Sequence, residues 1–329
     1  MAEKDSNWLK NKKKKKKRMT KLCNLKKLFF AYTSLFFFCW SATAKENYYT
    51  YTTLYTNSGA VLSGQTISEY EQRWFWEPVQ TAKHFTSLFY FEHMKPKILF
   101  VSKQQVLSTY TSQSTYSLYH EFLKNNGLLL KRPPLKNWNF ISTGNDGHHL
   151  FENMFGNFAW DILKIKDGKM FKGEGLENKD HHVWAAPIYS PIKGTVIELE
   201  RGVEDNRPDP THTSDLSTKG DGNFVLIHIS DAFYFSLLHF KKDSIPTRLK
   251  AGSIINAGDY LGDVGNSGIS YAPHLHMTMF YWSLELNRMI SVPTLFESAV
   301  VKSSIASESK LRELFSPQTG QMIKSARPQ

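Results

Sequence analysis

From residue 141 onward, short apolar runs alternate with clusters of glycine, proline, serine and aspartate, the pattern of short strands joined by tight turns. Trp184 to Glu200 reads as strand, turn, strand, with Gly194 at the turn. Gly222–Ser230 and Phe233–Phe240 read as a hairpin about Asp231-Ala232. Met277 to Tyr281 suit another strand, preceded by glycine turns at Gly258, Gly262, Gly265 and Gly268. Regular short strands of this kind predict an all-β sandwich or barrel over residues 141–299. Between them, residues 204–221 are polar and rich in proline and aspartate, and so are expected to form a surface loop.

The flanks have a different pattern. Residues 45–80 are rich in Tyr, Thr and Ser, which favours extended backbone. Residues 114–130 predict a helix through Tyr119, His120, Phe122 and Leu123 that ends near Gly127. Lys131-Arg-Pro-Pro-Leu marks a boundary. The division expected is 1–44 basic region and signal, 45–140 a small accessory region of α+β class, 141–299 the β domain, and 300–329 a polar, loosely packed tail. The accessory region offers no chemistry of its own. Its aromatic stretch Arg73-Trp-Phe-Trp-Glu suggests a cap that keeps a site latent.

Charge changes the picture once it is located. The chain has 329 residues and a formal charge of +11. Residues 1–44 contain 12 Lys and Arg against Glu3 and Asp5, leaving 29 basic and 28 acidic residues elsewhere. The body is therefore close to neutral and lacks the overall basicity expected of nucleic-acid binding. A basic stretch to Lys27, an apolar run from Leu28 to Trp40 and the small-x-small triplet Ala42-Thr43-Ala44 have the order of an export signal. The apolar run is shorter than the roughly 20 residues of a bilayer span, although an uncleaved anchor is the competing reading. Met19 offers a second possible start, which would leave a signal of ordinary length. Export to the periplasm or cell envelope, or secretion, with no stable membrane span after cleavage, is expected. Both cysteines, Cys23 and Cys39, fall in this block. A processed chain would hold any metal with His and carboxylate alone.

Tyr271-Ala-Pro-His274-Leu-His276 carries the candidate chemistry. Strand side chains alternate with a period of two, so a His-x-His pair sets both imidazoles on one face. Two such rings can share a metal, or one can bind metal while the other moves protons. Asp161 and His239 complete the candidate set. Asp161 is flanked by Phe158, Ala159, Trp160, Ile162 and Leu163, and a carboxylate in apolar surroundings needs a strong partner.

Several segments, in order, resemble the lysostaphin-type, LytM-like zinc endopeptidases over about residues 145–285. They are Ala186-Pro-Ile-Tyr-Ser-Pro-Ile-Lys-Gly-Thr-Val, Gly222-Asn-Phe-Val-Leu-Ile, Leu237-Leu-His-Phe, Ala251-Gly-Ser-Ile-Ile-Asn-Ala-Gly-Asp, Leu261-Gly-Asp-Val-Gly-Asn-Ser-Gly and Pro273-His-Leu-His-Met. The resemblance implies an antiparallel β-sandwich with one zinc in a groove, cutting peptides of bacterial peptidoglycan. It implies His276 and Asp161 as zinc ligands, and His239 and His274 as catalytic histidines. The commonest pattern places the remaining ligand four residues before the aspartate, but position 157 is asparagine. His148-His149 fits a variant of that pattern, with His149 preferred and His148 the alternative. Two imidazoles and one carboxylate leave zinc an open position, the layout of a catalytic site. His239 and His274 would then orient the attacking water, take its proton and stabilise the oxyanion. Some relatives have lost ligands, so a non-catalytic wall-binding or hydrolase-activating protein on the same scaffold is the alternative. A protease of proteins is a further one.

The other histidines read as structural. His228 sits in an apolar run and suits a sheet surface. His181-His182 suits a loop, with groove lining as its alternative, and His212 lies in the polar loop. His84, His93 and His120 fall outside the resembling segment. The sequence gives no sign of oligomeric state.

Overall fold

The β-branched and aromatic bias of the chain is realised as two main antiparallel sheets. In the computed structural model the described residues are 48–72, 83–92, 95–143, 156, 158–216, 218–284 and 286–326. The chain divides between Tyr48 and Tyr49, and every described strand and helix lies in the second unit, Tyr49–Gln329. The basic block, the apolar run, Arg73–Glu77, His93, His148 and His149 lie outside the described residues. Among the described residues no helix is long and apolar enough to cross a membrane.

The first sheet contains β1 (Tyr49–Thr56), β2 (Val61–Gln72), β3 (Lys83–Glu92), β4 (Lys95–Ser102) and β5 (Val106–Ser114) in the order β4-β3-β2-β1-β5. Only a 3₁₀ turn, Lys103–Gln105, separates the two outermost strands. So short a connection brings their ends together, which requires the sheet to coil. Leu54, Leu88, Leu99 and Val101 fill a small core of their own.

Helix α1 (Leu118–Asn125) follows. Ser117 caps it by accepting from the His120 amide, and Gln65 of β2 accepts from the Tyr119 amide at 2.8 Å. Tyr119, Phe122 and Leu123 share its buried face at helical spacing. Gly127, at φ +68°, carries the chain away. The Phe122 ring lies between Phe89 of the first sheet and Phe233 of the second, at centroid distances of 5.0 and 5.5 Å. Tyr119 Oη donates to the Pro293 carbonyl at 2.6 Å. The accessory region is thus joined to the β domain through this aromatic stack, the Tyr119 bond and the bridges of Leu130 to Phe296 and Leu135 to Ile188.

The second sheet comprises β6 (Asn139–Thr143), β7 (Trp160–Leu163), β9 (Gly194–Glu200), β10 (Asn223–Ser230), β11 (Phe233–Phe240), β12 (Ile254–Ile255), β14 (Leu275–Ser283), β15 (Arg288–Ser291), β16 (Phe296–Lys302), β17 (Ser309–Phe315) and β18 (Met322–Lys324). Its order is β12-β9-β10-β11-β14-β7-β6-β18-β16-β17, and β15 pairs with β14. β8 (Pro187–Tyr189) and β13 (Tyr260–Asp263) form a separate ribbon. Ile188 and Leu261 of the ribbon share a core with Val225, Leu237 and Met277. β11 and β14 are covered on both faces, which explains their almost continuous apolar runs.

Two expectations need correction. The strand-turn-strand at 184–200 exists, but its arms join different sheets, since β8 pairs with β13 and β9 with β10 and β12. Residues 300–329 are not a loose tail. β18 inserts between β6 and β16, with Met322 and Ile323 buried, and β17 forms the outer edge. The polar composition that suggested a tail includes the exposed strand β17 (Ser-Lys-Leu-Arg-Glu-Leu-Phe).

Phe122→Ala should cost about 3–5 kcal/mol, read by chemical denaturation, because it empties the centre of the aromatic stack. Retention of wild-type stability would show that the stack does not bind the accessory sheet to the β domain.

Candidate active site

The site is built on register. β14 and β7 pair so that His276 stands directly opposite Asp161. Directly opposed residues project from the same sheet face with Cβ atoms about 5 Å apart, and the side chains meet at His276 Nδ1–Asp161 Oδ1, 3.0 Å. His274 precedes β14 and sets Nε2 3.5 Å from the same carboxylate oxygen. On the neighbouring strand β11, Leu238 pairs with His276, so regular alternation would point His239 to the opposite face. Instead His239 takes φ +65°, a left-handed conformation uncommon for a residue with a Cβ. Its ring centroid lies 4.7 Å from that of His274 and 5.9 Å from that of His276. His239, His274 and His276 each offer a ligand atom within 4.8 Å of the others.

One loop fixes the protonation pattern. The Ser267 carbonyl accepts from His239 Nδ1 at 2.7 Å, and the Ala272 carbonyl accepts from His274 Nδ1 at 2.8 Å. A carbonyl only accepts, so both imidazoles carry a proton on Nδ1, and in the neutral ring Nε2 is the atom left to accept. His276 is arranged the other way. Its Nε2 is 3.0 Å from Thr278 Oγ1, and its Nδ1 faces Asp161. Donation from Nε2–H to the threonine leaves Nδ1 as the metal-capable atom. Burial, reinforced by the two neighbouring imidazoles, pushes the His239 pKa well below its ordinary 6.5.

The carbonyl loop is itself held by a buried polar network. Asn266 and Ser270 are almost fully buried. Ser270 Oγ donates to Asn266 Oδ1 at 2.6 Å and sits 3.3 Å from His274 Nδ1. Asn266 Nδ2 reaches Asn178 Oδ1 and the Asn206 carbonyl, both at 3.1 Å. Asn206 in turn donates to the Gly268 and Ser270 carbonyls. Gly222 and Gly268 let two backbones touch. A Cβ on Gly222 would meet the Ser267 carbonyl carbon at 2.4 Å, and one on Gly268 would meet the Gly222 nitrogen at 2.4 Å. Both residues also have positive φ, +70° and +78°. That contact brings Asp221 close to the cluster. Neighbouring groups partly desolvate the Asp221 carboxyl and push its pKa up, with His276 opposing the shift.

Four of the candidate residues therefore meet: Asp161, His239, His274 and His276. His149, its alternative His148 and Asn157 lie outside the described residues. The polar loop 204–221 is at the surface but is tied down: His212 stacks on Tyr271 at 4.4 Å, and Asp209 gathers Thr211, Thr213 and Ser214. His228 bonds the Asp231 carbonyl and His181 the Gly175 carbonyl, both as structural groups. His120 packs edge-on against Tyr49. Thr278 escaped the sequence reading, although its position two residues after His276 on a strand was the available signal. Ser267, Ser270 and Asn266 gave none beyond a glycine-rich turn.

The donor set fits zinc. Neighbouring ligands of a tetrahedral zinc with bonds near 2.0 Å stand about 3.3 Å apart, close to the His276–Asp161 separation of 3.0 Å. Imidazole with carboxylate is a suitable chemistry.

Residues 181–287 match the family model described as Peptidase family M23. This segment is similar to peptidase family M23. It includes His239, His274 and His276, while Asp161 lies before it. Solved structures similar to the chain include a candidate glycyl-glycine endopeptidase LytM from Ruminococcus gnavus, at 18% identity and TM-score 0.35, covering 55% of this chain and 64% of that one. The chain thus spans a little under two thirds of that protein. A zinc-containing peptidase from Vibrio cholerae has 14% identity and TM-score 0.30, over 74% and 77% of the two chains. The catalytic domain of the antimicrobial peptidase lysostaphin from Staphylococcus simulans has 16% identity and TM-score 0.26, over 52% and 92%. No curated protein matches the chain.

Two outcomes are expected of this segment. Gly268→Ala should displace the carbonyl loop from His239 and lower both the melting temperature and any hydrolytic activity, whereas Gly220→Ala, equally strained at φ +59° but with open space around its Cβ, should cost only that strain and leave His239 in place. Equal effects would deny the backbone contact its role. Metal-free protein should lose stability in acid. The folded chain holds His239 neutral while the unfolded chain protonates it, so stability is full above the ordinary imidazole value of 6.5 and falls as pH drops below it. Denaturation of the apo form across pH 5–7.5 should show a slope that His239→Gln reduces.

Proposed function

We propose that this chain is an exported, zinc-dependent endopeptidase that hydrolyses peptide bonds of bacterial peptidoglycan. The observation that carries the reading is the meeting of Asp161, His239, His274 and His276, drawn from three strands and one loop. Asp161 and His276 are the proposed metal ligands, with His149, chosen on sequence alone, as the third. When bound, zinc polarises a carbonyl and lowers the pKa of water to about 7.

The chain's own residues would then manage orientation and protons. His239 and His274 are the proposed catalytic pair. As a neutral ring with its proton on Nδ1, each can accept a proton from an attacking water at Nε2. As an imidazolium, the same ring can donate to the developing oxyanion or to the leaving amine. The carbonyls of Ser267 and Ala272 hold the two rings in the tautomer this requires. The signal-like order of residues 1–44 supports export, and the M23 match supports peptidase chemistry.

Asparagine at position 157 favours one other reading, a non-catalytic wall-binding or hydrolase-activating protein on this scaffold. Metal analysis and digestion of purified sacculi separate the two. The proposed enzyme carries one zinc per chain, releases peptide fragments and falls silent with a chelator. A wild-type protein that holds no zinc and releases nothing is the non-catalytic form. His276→Ala should abolish both zinc and activity. His239→Ala and His274→Ala should each keep zinc but lose about 10²–10⁴-fold in rate. Thr278→Val should weaken zinc binding about 10–100-fold, measured by competition with a chromogenic chelator. Unchanged affinity would remove Thr278 from the metal's surroundings.

A further inference from the structure

Sheet edges expose unpaired N–H and C=O groups, and proteins blunt them with lysine, proline, bulges or short strands. Most edges of this fold follow the rule. β4 contains Lys95, Pro96 and Lys97. β17 contains Lys310, Arg312 and Glu313. β12 has two residues, β15 has four including Arg288, and β8 has three, opening on Pro187. Among the described residues β5 is the exception. It ends the first sheet, and among the described residues it pairs only with β1. Its nine residues, Val-Leu-Ser-Thr-Tyr-Thr-Ser-Gln-Ser, include no charge, no proline and no glycine. A bulge at its start leaves the register with β1 unbroken from Ser108 to Ser114. All residues from Leu107 to Gln113 are exposed, Leu107 by 73% and Tyr110 by 68%.

The geometry points to β5 as the surface through which two copies of this chain pair edge to edge, joining their first sheets into one. A two-fold contact requires a strip that complements itself. β5 does so, because it carries hydroxyls and an aromatic ring and no charge that would meet its own like. A two-fold centred on Tyr110 sets the two tyrosines across from each other, Thr109 against Thr111 and Ser108 against Ser112. Aromatic and Thr–Thr pairs are favourable across antiparallel strands. A charged partner segment would find no opposite charge on this strand, which is why a second copy is the occupant. The contact is a single strand wide, so the dimer is weak and reversible. It lies on the first sheet, which holds none of the four site residues, and does not depend on the proposed activity.

Sedimentation velocity of the full chain over a wide concentration series, with amide exchange across residues 106–114, tests the pairing. The wild type should shift reversibly from monomer to dimer, with exchange in β5 slowing as dimer forms. Tyr110→Lys, which opposes two like charges at the centre, should remain monomeric with an unchanged melting temperature. Thr111→Lys serves as the second variant if the first misfolds. A monomer at every concentration would overturn the inference. So would a dimer that persists in both variants, since another surface would then be responsible. Slow exchange in β5 independent of concentration would also overturn it, by showing that the chain covers its own edge.

Discussion

The site depends on one constraint, the register that sets Asp161 of β7 opposite His276 of β14. The two residues are separated by more than a hundred positions, and no local preference brings them together. Side chains alternate along a strand, so a slip of one residue would turn the carboxylate to the other face. Ser142 of β6 stands opposite Asp161 on the other side, so β7 is held between two neighbours and cannot slide alone. The buried flanks Trp160 and Ile162 further penalise a slip by exposing apolar surface. The stability of the sheet and the geometry of the cluster are therefore the same property.

His239 enters by a different route. Alternation along β11 would turn it away, and the left-handed φ turns it back. Such backbone costs of the order of 1 kcal/mol or more in a residue with a side chain. The surroundings fix it from both sides: the Gly265 amide donates to the His239 carbonyl, and the Ser267 carbonyl accepts from its ring. Both partners lie on the loop that also holds His274. The backbone contact of Gly222 with Gly268 keeps that loop in place. One loop thus sets the conformation of one histidine and the tautomer of two.

Much of this was legible in the sequence, for identifiable reasons. The hairpin about Asp231 and the strand after His276 are written in apolar runs bounded by turn residues, and both formed. Helix α1 was announced over 114–130 by Tyr119, His120, Phe122 and Leu123 and by Gly127 near its end, and it formed over the shorter span Leu118–Asn125. What failed was partner choice. Nothing in Pro187–Tyr189 says that it pairs with Tyr260–Asp263 rather than with the strand that follows it. The C-terminal residues misled because an edge strand exposed along its length has the composition of a tail. At the site, residue types identified the histidines and the aspartate, but their supporting carbonyls have no side-chain signature at all.

The accessory region was expected to cap the site, and the position of its dock argues otherwise for the described part. Its helix α1 packs on Phe233, the first residue of β11, whereas His239 is the seventh. Six residues of strand span about 20 Å, so the aromatic stack and the histidine cluster occupy opposite ends of the same strand. A cap acting through the stack would have to transmit its effect along β11 itself. That strand is buried on both faces and hydrogen-bonded on both sides, which makes it a poor moving part. The arrangement instead suits a region that carries out its own business at one end while a rigid strand keeps the chemistry undisturbed at the other.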